Sequence, residues 1–131
     1  MKNTVVLFRG RSYCDDAQKV VLPPLSLISL SAAIKPYAAT ILDGNVHSEE
    51  ECFRRAESCI HDVVCVGISA LTGPEIASGL RFAEMVRKKA PDIQIIWGGW
   101  HVSCLPEESI KNEYVDAVVV GLGQKTFPEM I

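Results

Sequence analysis

Residues 63–76 read VVCVGISALTGPEI, an apolar run rich in β-branched residues that ends in serine and enters a turn with glycine and proline. Such a run is typical of a parallel strand buried on both faces. Thr72, with Glu75 three residues later, has the spacing of a capping box and predicts that a helix begins here. The stretch therefore predicts a strand, loop and helix of an α/β fold. The predicted helix carries one apolar stripe and ends at Pro91; the stripe comprises Ile76, Leu80, Ala83, Val86 and Ala90.

The same alternation extends over the whole chain. Four more apolar runs predict strands: Thr4–Arg9 (TVVLFR), 39–43 (ATILD), 93–97 (IQIIW) and 116–120 (DAVVV). Helices are predicted from the spacing of Leu27, Leu30, Ile34 and Tyr37, from a capping box of Ser48 with Glu51 to near Ile60, over 106–112, and after Gly123. Right-handed crossovers then favour a flavodoxin-like, doubly wound, five-stranded parallel sheet of order 2-1-3-4-5, a Rossmann-like architecture.

Length and charge limit the function classes. The chain has 131 residues, of which 48% are hydrophobic, so we expect a single domain over residues 1–131. The formal net charge of −3 argues against nucleic acid as a partner. No apolar run approaches the roughly 20 residues that span a bilayer, and the N-terminus lacks the pattern of a secretion signal. We therefore expect no membrane partner and a cytoplasmic location.

The cysteines do not have the spacing of a metal or redox site. They number five and are Cys14, Cys52, Cys59, Cys65 and Cys104, with no C-x-x-C pair. We expect free thiols and assign no catalytic and no metal-ligating residue in this chain.

Glycines follow three neighbouring strands of the predicted sheet. Ser69 ends the third strand and Gly73 follows it, Gly98 and Gly99 follow the fourth, and Gly121 and Gly123 flank Leu122 after the fifth. Ligands of open α/β sheets bind at this carboxyl edge, and glycine lets a ligand approach the backbone. Each segment alone is also an ordinary turn between a strand and a helix. Together they predict a groove lined by small residues.

Polar and aromatic side chains accompany these glycines, and each allows more than one interpretation. Ser69 and Thr72 can donate hydrogen bonds to a ligand, although Thr72 can equally be a helix cap. Trp100 offers a flat apolar wall to a large ring, or it packs in the core. His101 can be a donor or a metal ligand, or it can be a loop residue with neither role.

Three stretches resemble the N-terminal cobalamin-binding domain of cobalamin-dependent radical S-adenosylmethionine (SAM) enzymes: VVCVGISALTGPEI, IIWGGWHVSCLPEES and VDAVVVGLGQKTFPEM. PPLSLISLSAAIKPY followed by TILDGN is also similar to that family's opening, so the resemblance covers nearly the whole chain. It implies that cobalamin is the ligand, that its nucleotide tail enters the groove, and that the corrin ring lies over the carboxyl edge.

The resemblance also implies roles for individual residues. Ser69, Leu71 and Thr72 would line the tail pocket, Gly98 and Gly99 would let the tail pass, and Gly121, Leu122 and Gly123 would close the other side. Trp100, His101 and Leu25 would lie nearer the corrin. On this basis Gly98→Val or Gly99→Val should abolish cobalamin retention and leave the fold intact.

Three departures from related patterns refine this expectation. The family commonly reads Gly-Glu-Gly-Glu after the last strand, whereas residues 121–124 read GLGQ and lack both acids. The Asp-x-His-x-x-Gly motif, whose histidine ligates cobalt from below, does not occur, so no histidine lower ligand is expected. The Cys-x-x-x-Cys-x-x-Cys motif is also absent, so the [4Fe-4S] cluster and S-adenosylmethionine would belong to a C-terminal radical SAM domain that performs methyl transfer or related radical chemistry.

Three alternatives remain open at this point. The chain could be a free-standing cobalamin carrier or sensor without catalysis. A response-regulator-like signalling domain has the same topology but needs an aspartate at the end of the third strand, where Ser69 stands. A nicotinamide or flavin domain would need G-x-G-x-x-G after the first strand, and that motif is missing.

Overall fold

The structure is a computed structural model that describes residues 1–12 and 21–131. Strands and helices alternate along this part of the chain, as the sequence predicts. They are β1 (Thr4–Arg9), α1 (Leu25–Ala33), β2 (Ala38–Asp43), α2 (Glu49–Ser58), β3 (Val63–Ser69), α3 (Pro74–Lys89), β4 (Gln94–Gly98), α4 (Trp100–Cys104), α5 (Pro106–Ser109), β5 (Ala117–Val118) and α6 (Gly123–Met130). A short 3-10 turn, Ile60–Asp62, leads into β3.

The five strands form one parallel sheet of order β2-β1-β3-β4-β5. This confirms the predicted doubly wound, flavodoxin-like α/β architecture. In the register of the sheet, Ser69 pairs with Arg9 on one side and with Gly98 on the other. The last residues of β1, β3 and β4 therefore meet at one edge.

Each face of the sheet carries its own core. On one face, helices α2 and α3 pack over the strands, and the rings of Phe8 and Phe82 stack with their centroids 4.1 Å apart. On the other face, α1 and α6 pack over the strands through Leu27 and Phe127. Because side chains alternate along a strand, β3 directs Ile68 to the first core and Cys65 to the second.

The predicted capping box at α3 is wrong. The residue before the helix is Gly73, and no side chain caps it. Thr72 Oγ1 instead lies 3.0 Å from His101 Nδ1, and the Glu75 carboxylate accepts a hydrogen bond from the Leu71 amide at 2.8 Å. Both side chains are therefore engaged elsewhere in the loop.

At α2 half of the predicted capping box forms. Ser48 Oγ accepts from the Glu51 amide at 3.1 Å, but the Glu51 carboxylate accepts from Arg55 Nε at 2.9 Å. Other boundaries also differ from the prediction. Helix α1 ends before Tyr37, β5 has only two residues, and α4 begins directly at Trp100, where the sequence predicts a loop.

Cys14 lies outside the described residues, and the other four cysteines are free thiols. Within residues 1–12 and 21–131, no helix is long and apolar enough to span a membrane. The same ranges contain no cluster of three or more histidine, cysteine or acidic side chains that could hold a metal ion.

Candidate functional site

A cavity of about 430 Å³ lies between the sheet and the helices α1 and α6. This volume is within the usual range of small-molecule sites. Its floor is formed by Leu7, Gly67 and Ile96 of the three central strands. Its walls are Leu27, Leu30, Val119 and Phe127, and Ile68 and Trp97 also border the cavity. Its rim lies at the carboxyl edge of the sheet and consists of Ser26, Ser69, Gly98, Gly99, Trp100, Ser103, Gly121, Leu122, Gly123 and Gln124.

Two consecutive glycines shape the rim after β4, for different reasons. Gly99 has φ +95° and ψ −174°, a conformation that is essentially restricted to glycine. A β-carbon there would also stand 2.9 Å from both N and O of Ala70. At Gly98 the nearest atoms to a β-carbon would belong to Val119, 3.8 Å away, so this position has free space. Gly99 is thus needed by the fold, whereas Gly98 leaves the cavity open.

Backbone hydrogen bonds explain why the chain at Gly99 is so close to the β3–α3 loop. The Ala70 amide donates to the Gly98 carbonyl at 3.2 Å, and the His101 amide donates to the Ala70 carbonyl at 3.1 Å. These bonds continue the strand pairing of β3 with β4 past the ends of both strands. The expectation that Gly99→Val leaves the fold intact is therefore wrong, because the valine side chain would collide with the Ala70 backbone.

The opposite side of the rim is held by the segment between β5 and α6. The Gly121 amide donates to Ser103 Oγ at 2.9 Å, which ties this segment to α4. Gln124 Nε2 donates to Ser29 Oγ at 3.2 Å, which ties the first turn of α6 to α1. A β-carbon at Gly123 would make ordinary contacts of 3.7 Å with Leu30 and Val119.

Among residues 1–12 and 21–131, no charged side chain lines the cavity. The polar side chains that line it are those of serines, Gln124 and Trp100, and the remaining described lining is aliphatic, aromatic or glycine. On the same face of β3 as Gly67, burial raises the pKa of the Cys65 thiol to about 12, so this group is neutral near pH 7. The site therefore suits a neutral, largely apolar part of a ligand.

A polar network fixes the loops beside the cavity. Glu75 is 4% exposed, and its carboxylate accepts from the Leu71 amide and from the Ser12 hydroxyl. Arg9 and Asp43 form an ion pair at 2.6 Å across the ends of β1 and β2. Since each of these groups is already paired, the network acts as a support for the carboxyl edge rather than as part of the cavity lining.

The structure brings together seven of the eleven residues predicted for the site. Those that line the cavity are Ser69, Gly98, Gly99, Trp100, Gly121, Leu122 and Gly123. Leu25, Leu71, Thr72 and His101 do not line it. Leu71 and Thr72 were expected in the tail pocket, but Leu71 is 54% exposed and the Thr72 hydroxyl is bonded to His101 outside the cavity.

The two tryptophans have opposite environments. Trp100 is 70% exposed at the rim, so the interpretation that it packs in the core is wrong. The core tryptophan is Trp97, which is 3% exposed and donates from Nε1 to the Tyr114 carbonyl at 3.1 Å. Trp100 thus presents an apolar surface beside the cavity mouth.

The interior of the cavity is formed by residues that no motif of the sequence marks. Leu7, Gly67 and Ile96 look like ordinary strand residues in the sequence, and Leu27, Leu30 and Phe127 look like ordinary helix residues. One signal was present: Gly67 and Ile96 come two residues before Ser69 and Gly98. Side chains at i and i+2 share a face of a sheet, so these positions continue the rim inward.

Comparisons with known proteins identify a family and two similar folds. The family model of the B12 binding domain matches residues 18–131. A comparison with curated proteins gave no significant match. Among solved structures, the cobalamin-dependent S-adenosylmethionine radical enzyme OxsB with aqua-cobalamin bound is similar, with a TM-score of 0.77 and 15% identity. The match covers 98% of this chain but 18% of the OxsB chain.

A second similar structure is the response regulator protein TrrA from Thermotoga maritima in complex with Mg²⁺ and BeF. Its TM-score is 0.57 at 21% identity, and the match covers 99% of this chain and 93% of that one. At such identities both structures show a shared fold alone. The family model, in contrast, matches most of the sequence itself. The chain therefore belongs to the B12-binding domain family.

Proposed function

We propose that the chain binds cobalamin with the nucleotide tail in the cavity and with no histidine below the cobalt, and that it presents the corrin to a radical SAM domain. The observation that carries this proposal is the position of the cavity. Its described lining is neutral, it lies over the three central strands, and it opens past Gly98 at their carboxyl edge in a member of the B12-binding domain family.

The residues present fit the parts of cobalamin. The tail consists of a ribose phosphate and an apolar bicyclic base. The aliphatic floor and walls suit the base, and the hydroxyls of Ser69 and Ser103 at the rim suit the polar sugar phosphate. The corrin is too broad to enter, so it would cover the edge, where Trp100 and Leu122 are 70% and 85% exposed. When bound, cobalamin would supply the organometallic chemistry, and this chain would orient it.

The positions of the histidines support a lower face of cobalt without a histidine ligand. The three histidines of the chain all belong to the described residues, and none of them lines the cavity. His101, the one nearest the rim in sequence, is hydrogen-bonded to Thr72. His61 precedes β3, at the opposite edge of the sheet, and His47 follows β2, the outer strand beyond β1, without lining the cavity. A tail inserted into the cavity would also separate its base from cobalt.

The radical SAM partner is proposed from what the sequence lacks and from the exposed edge. The sequence has no Cys-x-x-x-Cys-x-x-Cys motif, so a [4Fe-4S] cluster and S-adenosylmethionine would be held by another domain. Val120, 55% exposed, adds to the apolar surface of Trp100 and Leu122 at the same edge. A catalytic domain placed there would enclose the upper face of the corrin for methyl transfer or related chemistry.

A signalling function is not proposed, although the fold is shared with TrrA. A phosphate-accepting domain of this topology needs an aspartate at the end of the third strand. Ser69 occupies that position, and it lines the cavity.

The test is cobalamin retention. The purified chain is mixed with hydroxocobalamin, free ligand is removed by gel filtration, and the visible spectrum of the protein fraction is recorded. Cobinamide, which lacks the nucleotide tail, is the matched ligand control. We expect retained corrin bands of the base-off form with cobalamin and much weaker retention with cobinamide. Absence of retained cobalamin would refute the binding proposal, and equal retention of cobinamide would refute the role of the cavity.

A further inference from the structure

The cavity is apolar at depth and polar only near its mouth. Its floor residues Leu7, Gly67 and Ile96 offer no side-chain donor or acceptor. The polar side chains belong to positions at the carboxyl edge: Ser69 ends β3, Ser26 and Gln124 lie in the first turns of α1 and α6, and Ser103 lies in α4. Because helices that follow parallel strands begin at the carboxyl edge, all four lie near the rim.

We propose that this cavity selects among corrinoids by the polarity of the lower base. It would favour an apolar base such as 5,6-dimethylbenzimidazole over a purine such as adenine. This inference rests on the proposed function, because it requires the tail to enter the cavity. It adds the class of corrinoid that the site accepts.

The selection follows from hydrogen bonds that a purine would lose. Adenine carries an amino group and several ring nitrogens that are hydrated in water. In the floor they would meet side chains such as Leu7 and Ile96. The backbone groups of the strands are occupied by sheet pairing, in which Gly67 pairs with both Leu7 and Ile96. A buried polar group without a partner is costly, whereas dimethylbenzimidazole presents methyl groups to the same surface.

The rim cannot compensate fully for this loss. Ser103 Oγ accepts from the Gly121 amide and keeps its own proton, but this hydroxyl lies at the mouth, where it would serve the sugar phosphate, and one amide proton of Gln124 is already donated to Ser29. The hydroxyl of Ser69 makes no hydrogen bond to another described residue, but it lies at the strand end, where the sugar phosphate would pass. The base itself would therefore contact mainly the apolar interior.

Leu30 offers a direct way to change this preference. It lies on α1, lines the cavity and is half-buried, so a glutamine there adds a donor and an acceptor without emptying the core. Ile28 is the matched control, because it lies on the same helix, is 45% exposed and does not line the cavity. The test variants are Leu30→Gln and Ile28→Gln.

The experiment titrates the full chain and both variants with cobalamin and with its adenine analogue, pseudocobalamin, and follows the visible spectrum. The affinity ratio of the two corrinoids is compared between proteins. For each corrinoid, the free energy needed to detach the lower base from cobalt is the same whichever protein binds it. This free energy therefore cancels when the affinity ratios of the three proteins are compared. We expect the preference for cobalamin to fall about fivefold or more in Leu30→Gln, the size of one hydrogen bond, and to stay unchanged in Ile28→Gln.

The outcomes separate this inference from the proposed function. If cobalamin binds in the base-off form but the ratio is the same in all three proteins, the selection is refuted and cobalamin binding stands. If the affinity ratio of cobalamin to pseudocobalamin is the same for the wild-type chain and for Leu30→Gln, the apolar interior does not discriminate between the two bases. If neither corrinoid binds, the inference fails together with the proposed function.

Discussion

Replacing each of the two glycines after β4 should have opposite consequences. A valine at position 98 has space near Val119 and would project into the cavity, so Gly98→Val should keep the fold and block the ligand. A side chain at position 99 would have φ +95° and would meet the Ala70 backbone at 2.9 Å, so Gly99→Val should damage the fold itself.

The magnitudes follow from the backbone at each position. Removing a glycine where the backbone suits other residues stabilises a protein by about 0.4–1 kcal/mol, so Gly98→Ala should be neutral or slightly stabilising. A residue other than glycine in the conformation of Gly99 costs about 1–3 kcal/mol before any collision is counted. For a chain of this length, each 1 kcal/mol corresponds to a change in Tm of about 4 °C.

Urea unfolding is monitored by circular dichroism, and cobalamin retention is measured on the same variants. Gly98→Val should unfold at the wild-type midpoint or higher and lose at least about tenfold in affinity, equivalent to about 1.4 kcal/mol. Gly99→Ala should unfold at a clearly lower urea concentration. Wild-type affinity in a folded Gly98→Val would refute the tail assignment, and a Gly99→Ala variant as stable as the wild type would refute the steric argument.

Three further predictions use other parts of the structure. Trp100→Ala should weaken cobalamin binding but change the free energy of unfolding by less than about 0.5 kcal/mol. Trp97→Ala should lower the free energy of unfolding by about 3–5 kcal/mol, and urea unfolding distinguishes the two variants. Glu75→Ala should cost about 1–3 kcal/mol, because the Leu71 amide loses its acceptor, and an unchanged urea midpoint would contradict this. The Cys65 thiol keeps its proton to about pH 12 in the folded chain but loses it near pH 8.5 in the unfolded chain. The unfolded state is therefore favoured as pH rises above about 8.5, and the free energy of unfolding falls by up to about 1.4 kcal/mol per pH unit. Cys65→Ala should flatten that decline in pH-dependent unfolding.

The sheet could be predicted from the sequence because its strands are buried on both faces. Val63–Ser69 is nearly all apolar for this reason, and strands of that kind stand out from the helical segments between them. The rim could be predicted for a related reason. Parallel strands end at a common edge, so Ser69 and Gly98, at the ends of adjacent strands, had to lie side by side.

The depth of the cavity could not be predicted, because it depends on how far α1 and α6 stand from the sheet. Leu30 and Phe127 are apolar whether they fill a core or line a cavity, and the pattern of the sequence is the same in both cases. The capping box of Thr72 failed for a different reason. His101, 29 positions away, competes for the same hydroxyl, and only the folded chain brings the two together.

The electron paramagnetic resonance spectrum of cob(II)alamin bound to the chain reports which atom, if any, ligates the lower face of cobalt. A tail inserted beside Gly98, with no histidine in the cavity, leaves no nitrogen ligand on the lower face of cobalt. We therefore expect cobalt hyperfine lines without nitrogen splitting. Threefold splitting of those lines by one nitrogen nucleus, from a histidine or from the cofactor's own base, would contradict it.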